Sequence, residues 1–497
     1  MLDLLIVGGG INGCAIARDA AGRGLNVRLV EKGDLASCTS SASTKLIHGG
    51  LRYLEHFEFR LVREALAERA VMLATAPHLV SPLTFVLPLE PQLRPAWMIR
   101  LGLFLYDHLA PRGRLPPSRG VSLQGTAFGA PLREGLTQGF AYSDCWVDDS
   151  RLVIANAISA SDLGAIISTR SSLVSAERRA DRWIARVDTP EGSEEIEARA
   201  IVNAAGPYVS QVLHDALHIK SRKHVRLVKG SHLVTRRLYE GDHAYILQNP
   251  DRRVVFVIPY ESEFTLIGST DVPYESAPGP VAISEEETEY LLAAVNRRFR
   301  REVTPGDIVS SFAGLRPLFD DGSFEASVVT RDYAFDLDAE GAPALSIFGG
   351  KITTARRLAE HALETLEDAF ERMAPSWTEL TPLAGGEGLD GELAPLLARL
   401  RHERPFLPEP LALRLAKAYG ERVFRLLGSA QSLGELGEDF GSGLTRHELD
   451  YLVAEEWAQT AEDVLWRRSK LGLHMTPSQR ENVARAIAQG PFQAESR

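Results

Sequence analysis

LDLLIVGGGINGCAIARDAAGRGLNVRLVE, residues 2–31, decides the fold. The apolar run LDLLIV stops at Gly8, Gly9 and Gly10, the pattern of a parallel strand covered on both faces. Ile11, Ala15, Ile16, Ala20 and Ala21 then recur at near-helical spacing up to Gly24, and Val27 to Val30 makes a second apolar strand ending at Glu31. That is one βαβ unit. Gly8, Gly10 and Gly13 form G-x-G-x-x-G between strand and helix, where glycine allows the tight turn and lets a pyrophosphate reach the exposed N–H groups and positive dipole end of the helix. Glu31 follows Gly13 at close to the ~20-residue spacing expected of the carboxylate that accepts the ribose hydroxyls. The unit predicts a dinucleotide site with Ile11 and Asn12 at the mouth of the helix.

The loop itself does not choose between NAD and FAD. IVNAAG (201–206) and FGGKITTARRLAEHA (348–362) are further apolar strands running into glycine, and the second opens another helix. Such distant returns suit a large cofactor buried along its length, which favours FAD. The Ser- and Thr-rich stretch Ser37–Thr44 stands beside Glu31, where it can offer hydroxyls and backbone donors to the cofactor.

Between these α/β segments, 61–76 reads as a helix and Pro77, Pro82, Pro88, Pro91 and Pro95 mark entry into a second subdomain. The runs 225–234, 244–248, 253–259 and 264–268 are rich in Val, Ile and Phe and predict an antiparallel sheet. Beyond Pro375 the chain becomes helical. The 497 residues carry 55 Lys and Arg against 66 Asp and Glu, a net charge of −11, which argues against a broad grip on nucleic acid. Three cysteines, Cys14, Cys38 and Cys145, have no zinc-ligand spacing. The N-terminus has no signal-peptide pattern, and the densest apolar stretch, 96–106, is too short to span a bilayer.

GGGINGCAIARDAAGRGL, SSASTKLIHGGLRYLEHFEFRLVREALAER, YSDCWVDDSRLVIANA, KGSHLV, YILQN, VFVIPY, IGSTDV, GLRPL, TRDY and FGGKITTARRLAEHAL resemble, in order, the flavin-dependent, membrane-associated glycerol-3-phosphate dehydrogenases of aerobic bacteria. LGEDFG (436–441) and EEWAQTAEDVLWRRSKLGL (455–473) extend the likeness over nearly the whole chain. Cys14 stands where a small residue such as Ala is usual, and Ser269 where Thr is usual.

The resemblance implies an α/β fold: a Rossmann-like FAD-binding domain of the glycine/D-amino-acid oxidase type, with an inserted antiparallel-sheet substrate domain and a helical C-terminal domain. The expected boundaries are 1–76, 145–220 and 310–376 for the FAD domain, 77–144 and 221–309 for the cap, and 377–497 for the helical domain. It also implies oxidation of sn-glycerol 3-phosphate to dihydroxyacetone phosphate, with electrons passed from FAD to ubiquinone or menaquinone. A homodimer lying peripherally on the cytoplasmic face of the membrane completes that picture.

Arg52, Arg316, Arg331 and Lys351 stand in the matching blocks and are the phosphate donors that the resemblance implies, and arginine's planar fork suits bidentate phosphate contact. Tyr53 and Thr270 are expected on substrate oxygens. His48 and His232 are the candidates for proton transfer, with Arg316 as a polariser of the reacting hydroxyl. The expected cofactor contacts extend to Thr39, Ser40, Ser41, Lys45, His48, Gly49, Gly50, Ala205, Gly206, Gly350 and Thr353. A dioxygen-using oxidase and a non-catalytic flavoprotein are the rival readings. For the membrane contact, Ala96–Tyr106 competes with Ala355–Met373, whose polar face is acidic.

Overall fold

The computed structural model describes residues 1–90, 92–320 and 332–490. Strand β1 (Leu2–Val7) runs parallel to β2 (Val27–Val30) on one side and to the strand Gly192–Asn203 on the other. Leu4, Leu5 and Ile6 are wholly buried, as a strand covered on both faces requires. Ala344–Gly349 and Ile166–Ser168 extend this parallel core outward, and Tyr333–Asp338 adds an antiparallel edge. Helix α1 (Ile11–Gly22) makes the crossover from β1 to β2. Its small residues Ala15, Ala17, Ala20 and Ala21 let further helices approach closely, and it packs on both Asp149–Asp162 and Ala355–Thr365.

Helix α2 (Phe59–Thr75) leads from this layer towards the second sheet, and α3 (Ala96–His108) lies against that sheet. Among the described residues the second sheet has ten strands, including Val80–Pro88, Gln138–Val147, Val225–Arg236, Ala244–Gln248, Val254–Tyr260 and Phe264–Gly268. Its pairings are mostly antiparallel, but Ala244–Gln248 runs parallel to Val80–Pro88.

Two expected boundaries move. Ile308–Phe319, placed from 310 onward in the cofactor domain by sequence, pairs instead along Val225–Arg236, from Val225 opposite Phe319 to Thr235 opposite Ile308. Leu46–Ile47 and the end of Gln138–Val147 likewise belong to the second sheet. These strands carry chain between the layers, so the cleft between the sheets is walled by both.

The helices Ala394–Glu403, Glu409–Tyr419, Val423–Leu427, Arg446–Glu455 and Pro477–Ala488 enclose their own core around Leu400, Leu415, Leu427 and Leu452. Buried ion pairs tie this region to the first layer: Arg468 grips Asp34 with two bonds of 2.5 and 2.8 Å, and Arg151 pairs with Glu456. Losing one member of such a pair leaves an uncompensated buried charge, so these contacts hold the two regions in register. Among the described residues no helix is long and apolar enough to cross a membrane.

Candidate active site

A cavity of about 510 Å³ runs between the two sheets, beginning at the N-terminus of α1. Gly8 has φ +114°, and a Cβ there would lie 2.6 Å from the Ala204 carbonyl oxygen. A Cβ on Gly13 would lie 1.9 Å from the Gly8 oxygen, so only glycine lets α1 press on its own loop. Ser40 Oγ accepts from the Ile11 N–H at 3.0 Å, which sets a hydroxyl at the helix mouth. The Glu31 carboxylate accepts from the N–H groups of Gly9 (2.6 Å) and Gly33 (2.7 Å), and burial pushes its carboxyl above the usual range.

Further along, Asn12 Nδ2 donates to the Gly349 carbonyl at 3.3 Å, while Asn12 Oδ1 is buried with no hydrogen-bond partner among the described residues. Gly350, at φ +98°, has no room for a Cβ because Asn12 Nδ2 would lie 2.8 Å away. The two glycine turns therefore meet across α1. The wall continues past Ala205 and Gly206 to Thr353, His48 and Gly50. A cleft with a helix N-terminus, an acid on its wall at the end of β2, an unsatisfied amide oxygen among the described residues and glycines admitting a flat ring fits FAD.

Three cationic side chains, Arg52, Arg316 and Lys351, also line the cavity, and the Lys351 ammonium sits 4.3 Å from the centre of the Tyr53 ring. Arg316 pairs with Asp271 and donates to Ser269 Oγ at 2.6 Å. Its guanidinium lies over Gly230, two positions diagonal across the sheet: a Cβ on Gly230 would be 2.4 Å from Nη2.

Of the residues expected at the cofactor, Gly8, Gly10, Ile11, Asn12, Glu31, Thr39, Ser40, His48, Gly50, Ala205, Gly206, Gly350 and Thr353 line the cavity. Gly13, Ser41, Lys45 and Gly49 do not. Gly13 is used against Gly8, and Lys45 is turned to Asp149, 2.7 Å away in the interior. Gly49 gives its N–H to Tyr106 instead. Thr270 is also displaced from the wall, since its buried hydroxyl donates to Glu287 and accepts from the Ser231 N–H.

His232 also stands off the cavity wall and is fully buried. Its strand is paired on both sides, so the ring is enclosed between the Gly268 backbone and Phe312, which stacks on it at 4.8 Å. Burial, with Arg316 and Lys45 nearby, holds its pKa well below the ordinary imidazole value. Nε2 reaches only Thr44 Oγ1, at 3.0 Å. Arg331 lies outside the described residues.

Asp271, Tyr142, Asp144 and Lys32 line the cavity but were not singled out from sequence. Asp271 had a signal, because it follows Thr270 in the IGSTDV block and a wall arginine needs an anionic partner to orient it. Tyr142 and Asp144 sit in the YSDCWV block, where only the pairing with Val80–Pro88 reveals which side chains face inward.

The chain matches the family model for FAD dependent oxidoreductases over residues 3–356 and that for the C-terminal domain of alpha-glycerophosphate oxidase over 376–489. It is 56% identical over 488 residues to a glycerol-3-phosphate dehydrogenase of Pseudomonas aeruginosa, covering 98% of this chain and 94% of the relative. A D-erythritol 1-phosphate dehydrogenase of Brucella abortus is 50% identical over 481 residues, covering 96% of each. Among solved structures, the FAD complex of a glycerol-3-phosphate dehydrogenase from Bacillus halodurans is similar, with a TM-score of 0.76 at 26% identity over 100% of this chain and 97% of that one.

Proposed function

The chain belongs to the FAD-dependent oxidoreductases, in their glycerol-3-phosphate dehydrogenase branch, and on that premise we propose that it oxidises sn-glycerol 3-phosphate to dihydroxyacetone phosphate and hands the electrons to ubiquinone or menaquinone. What supports the reading is the cavity itself, which the dinucleotide loop, Arg52, Arg316 and Lys351 all line. A phosphomonoester dianion needs such fixed donors, which also orient the rest of the molecule.

Gly8–Asn12, Glu31, Ser40 and Gly350 would hold FAD, which would supply the two-electron acceptor. The protein must then remove one proton as C2 loses its hydride and the C2–O bond becomes a carbonyl. His48 is the proton acceptor in this proposal, because it lies on the cavity wall and an imidazole nitrogen can take a proton. Arg316, oriented by Asp271 and Ser269, polarises the hydroxyl or fixes the phosphate. Lys351 is held in place by the Tyr53 ring. Arg331 stays in the proposal as a further phosphate donor on the resemblance alone.

Membrane attachment is supported by α3. Ile99, Leu103 and Tyr106 are buried, whereas Trp97, Leu101 and Phe104 are 69%, 50% and 48% exposed. Phe57 and Phe59, after the short turn Leu51–His56 that packs on α3, are exposed as well. Arg94 pairs with Glu55 and Arg114 with Glu392, so apolar area rather than flanking charge supports this surface. The competing helix Ala355–Thr365 buries Leu358, Ala359, Ala362 and Leu363 against the cofactor layer.

The test is anaerobic. Glycerol 3-phosphate should bleach the bound flavin, and a quinone analogue should restore the colour faster than air. Bleaching by D-erythritol 1-phosphate alone would transfer the assignment to a four-carbon substrate, and faster recovery in air would favour the dioxygen-using oxidase.

A further inference from the structure

The loop His48–Gly49–Gly50 has one residue on either side of Gly49 in the cavity wall, yet Gly49 itself faces the protein. Its N–H donates to the Tyr106 hydroxyl at 2.7 Å. That hydroxyl donates in turn to Asp144, with its oxygen 2.7 and 2.9 Å from the two carboxylate oxygens. Asp144 is gripped by Arg69 at 2.6 Å, and the side chains of this ion pair are 3% and 4% exposed. The result is a buried chain running from guanidinium to carboxylate to phenol to the peptide N–H between His48 and Gly49.

We propose that Tyr106 is a positioning residue for the reaction assigned above: through the Arg69–Asp144 pair it holds the His48–Gly49 peptide in one orientation and so sets His48 and Gly50 against the cofactor. The inference rests on the proposed flavin chemistry of this cavity. Three features support it.

The Gly49 N–H donates to Tyr106 and the Tyr106 O–H to Asp144 in one sense, so the phenol oxygen accepts more strongly than an isolated tyrosine would, while Arg69 donates to Asp144 from the other side and holds the carboxylate in place. Because the peptide is planar and trans, holding its N–H towards Tyr106 directs the His48 carbonyl the other way. Neither glycine has a side chain to anchor it or room for one: a Cβ at Gly49 would lie 2.5 Å from the Leu66 side chain and 2.8 Å from the phenol oxygen, and one at Gly50 would lie 2.1 Å from the Tyr53 ring. A two-glycine segment without side-chain anchors depends on its backbone bonds for a defined position.

Tyr106→Phe is the direct test, because it keeps the ring that meets Tyr142 edge-on at 5.9 Å and deletes only the hydroxyl. The FAD-loaded variant is expected to show an altered visible flavin spectrum before any substrate is added. Its kcat should fall about tenfold while KM for glycerol 3-phosphate stays within about twofold, the size expected for one charge-assisted buried bond. Asp144→Asn interrupts the same chain, so the double variant should be little worse than either single one. An unchanged spectrum with kcat within twofold of the parent protein overturns the proposal, and so do fully additive losses. If Asp144→Asn does not yield FAD-loaded protein, Tyr106→Phe decides by its two readouts. Were the parent protein not bleached by glycerol 3-phosphate, the substrate assignment would fail, while the substrate-free flavin spectrum would still report on Tyr106.

Discussion

Gly230→Ala should disable the site while leaving the fold intact. A Cβ at 230 would sit 2.4 Å from Arg316 Nη2 and 2.7 Å from its Cζ, about 1 Å inside ordinary contact. The atoms it meets are the far end of a flexible side chain, so the guanidinium yields and the strand does not. Gly230 is not at positive φ, and replacing a strand glycine by alanine ordinarily recovers roughly 0.5–1 kcal/mol of backbone entropy. Stability should therefore be unchanged or slightly raised.

The displacement is costly to chemistry instead. Arg316 must leave its bonds to Ser269 and Asp271, and a ~1 Å misplacement of an orienting group can lower the rate on the order of a hundredfold, about 2.7 kcal/mol. The assay is kcat/KM for glycerol 3-phosphate, beside thermal melts and the flavin-to-protein absorbance ratio. A variant that melts like its parent, holds FAD and turns over within twofold of it would refute the placement of Arg316 at the reacting end.

Arg316→Ala and Lys351→Ala should keep FAD, since the adenine end is built separately by Gly8–Asn12 and Glu31, but lose anaerobic bleaching by about a hundredfold or more; wild-type bleaching in either would contradict this. Glycerol should be a very poor substrate because it leaves these cations without the phosphate, and a kcat/KM comparable to that of the phosphate ester would remove the basis for the reading. The FAD-loaded Trp97→Glu/Phe104→Glu protein should no longer float with liposomes, whereas retained flotation would exclude α3 as the main anchor. Burial, reinforced by Arg151, lowers the His78 pKa to about 3, so below its unfolded pKa near 6.5 the unfolded chain binds the proton first and stability is lost as pH falls towards 3. Urea unfolding of the parent should thus lose about 2 kcal/mol more than His78→Gln between pH 7 and pH 5, and equal losses would show that His78 stays solvated.

The dinucleotide loop was legible because everything it needs lies within one βαβ unit. Strand, glycines, helix and Glu31 are neighbours in sequence, and their apolar spacing reports directly which faces are buried. The same locality made the helix Ala96–His108 and the strands from 225 to 268 readable, with boundaries shifted by only a residue or two. Arg52, Arg316 and Lys351 were legible through the resemblance of the blocks that hold them, and arginine's planar fork suits a phosphate.

Which side chains meet in the cavity was decided by pairing between distant strands. His232 and Thr270 stand in blocks that look functional, but a strand with neighbours on both sides turns alternate residues into the interior, and register there depends on residues 264–268 and 308–319. Gly230 reads as an ordinary turn or bulge glycine until Arg316 is brought over it from more than eighty residues away. Tyr106 reads as one more apolar position of an amphipathic helix, and only the packing of α3 beside Gln138–Val147 gives its hydroxyl a partner. Local pattern therefore determined the layers and the cofactor class. The identity of the wall came from tertiary structure, because burial and hydrogen bonding of a single side chain are set by atoms that sequence spacing does not bring together.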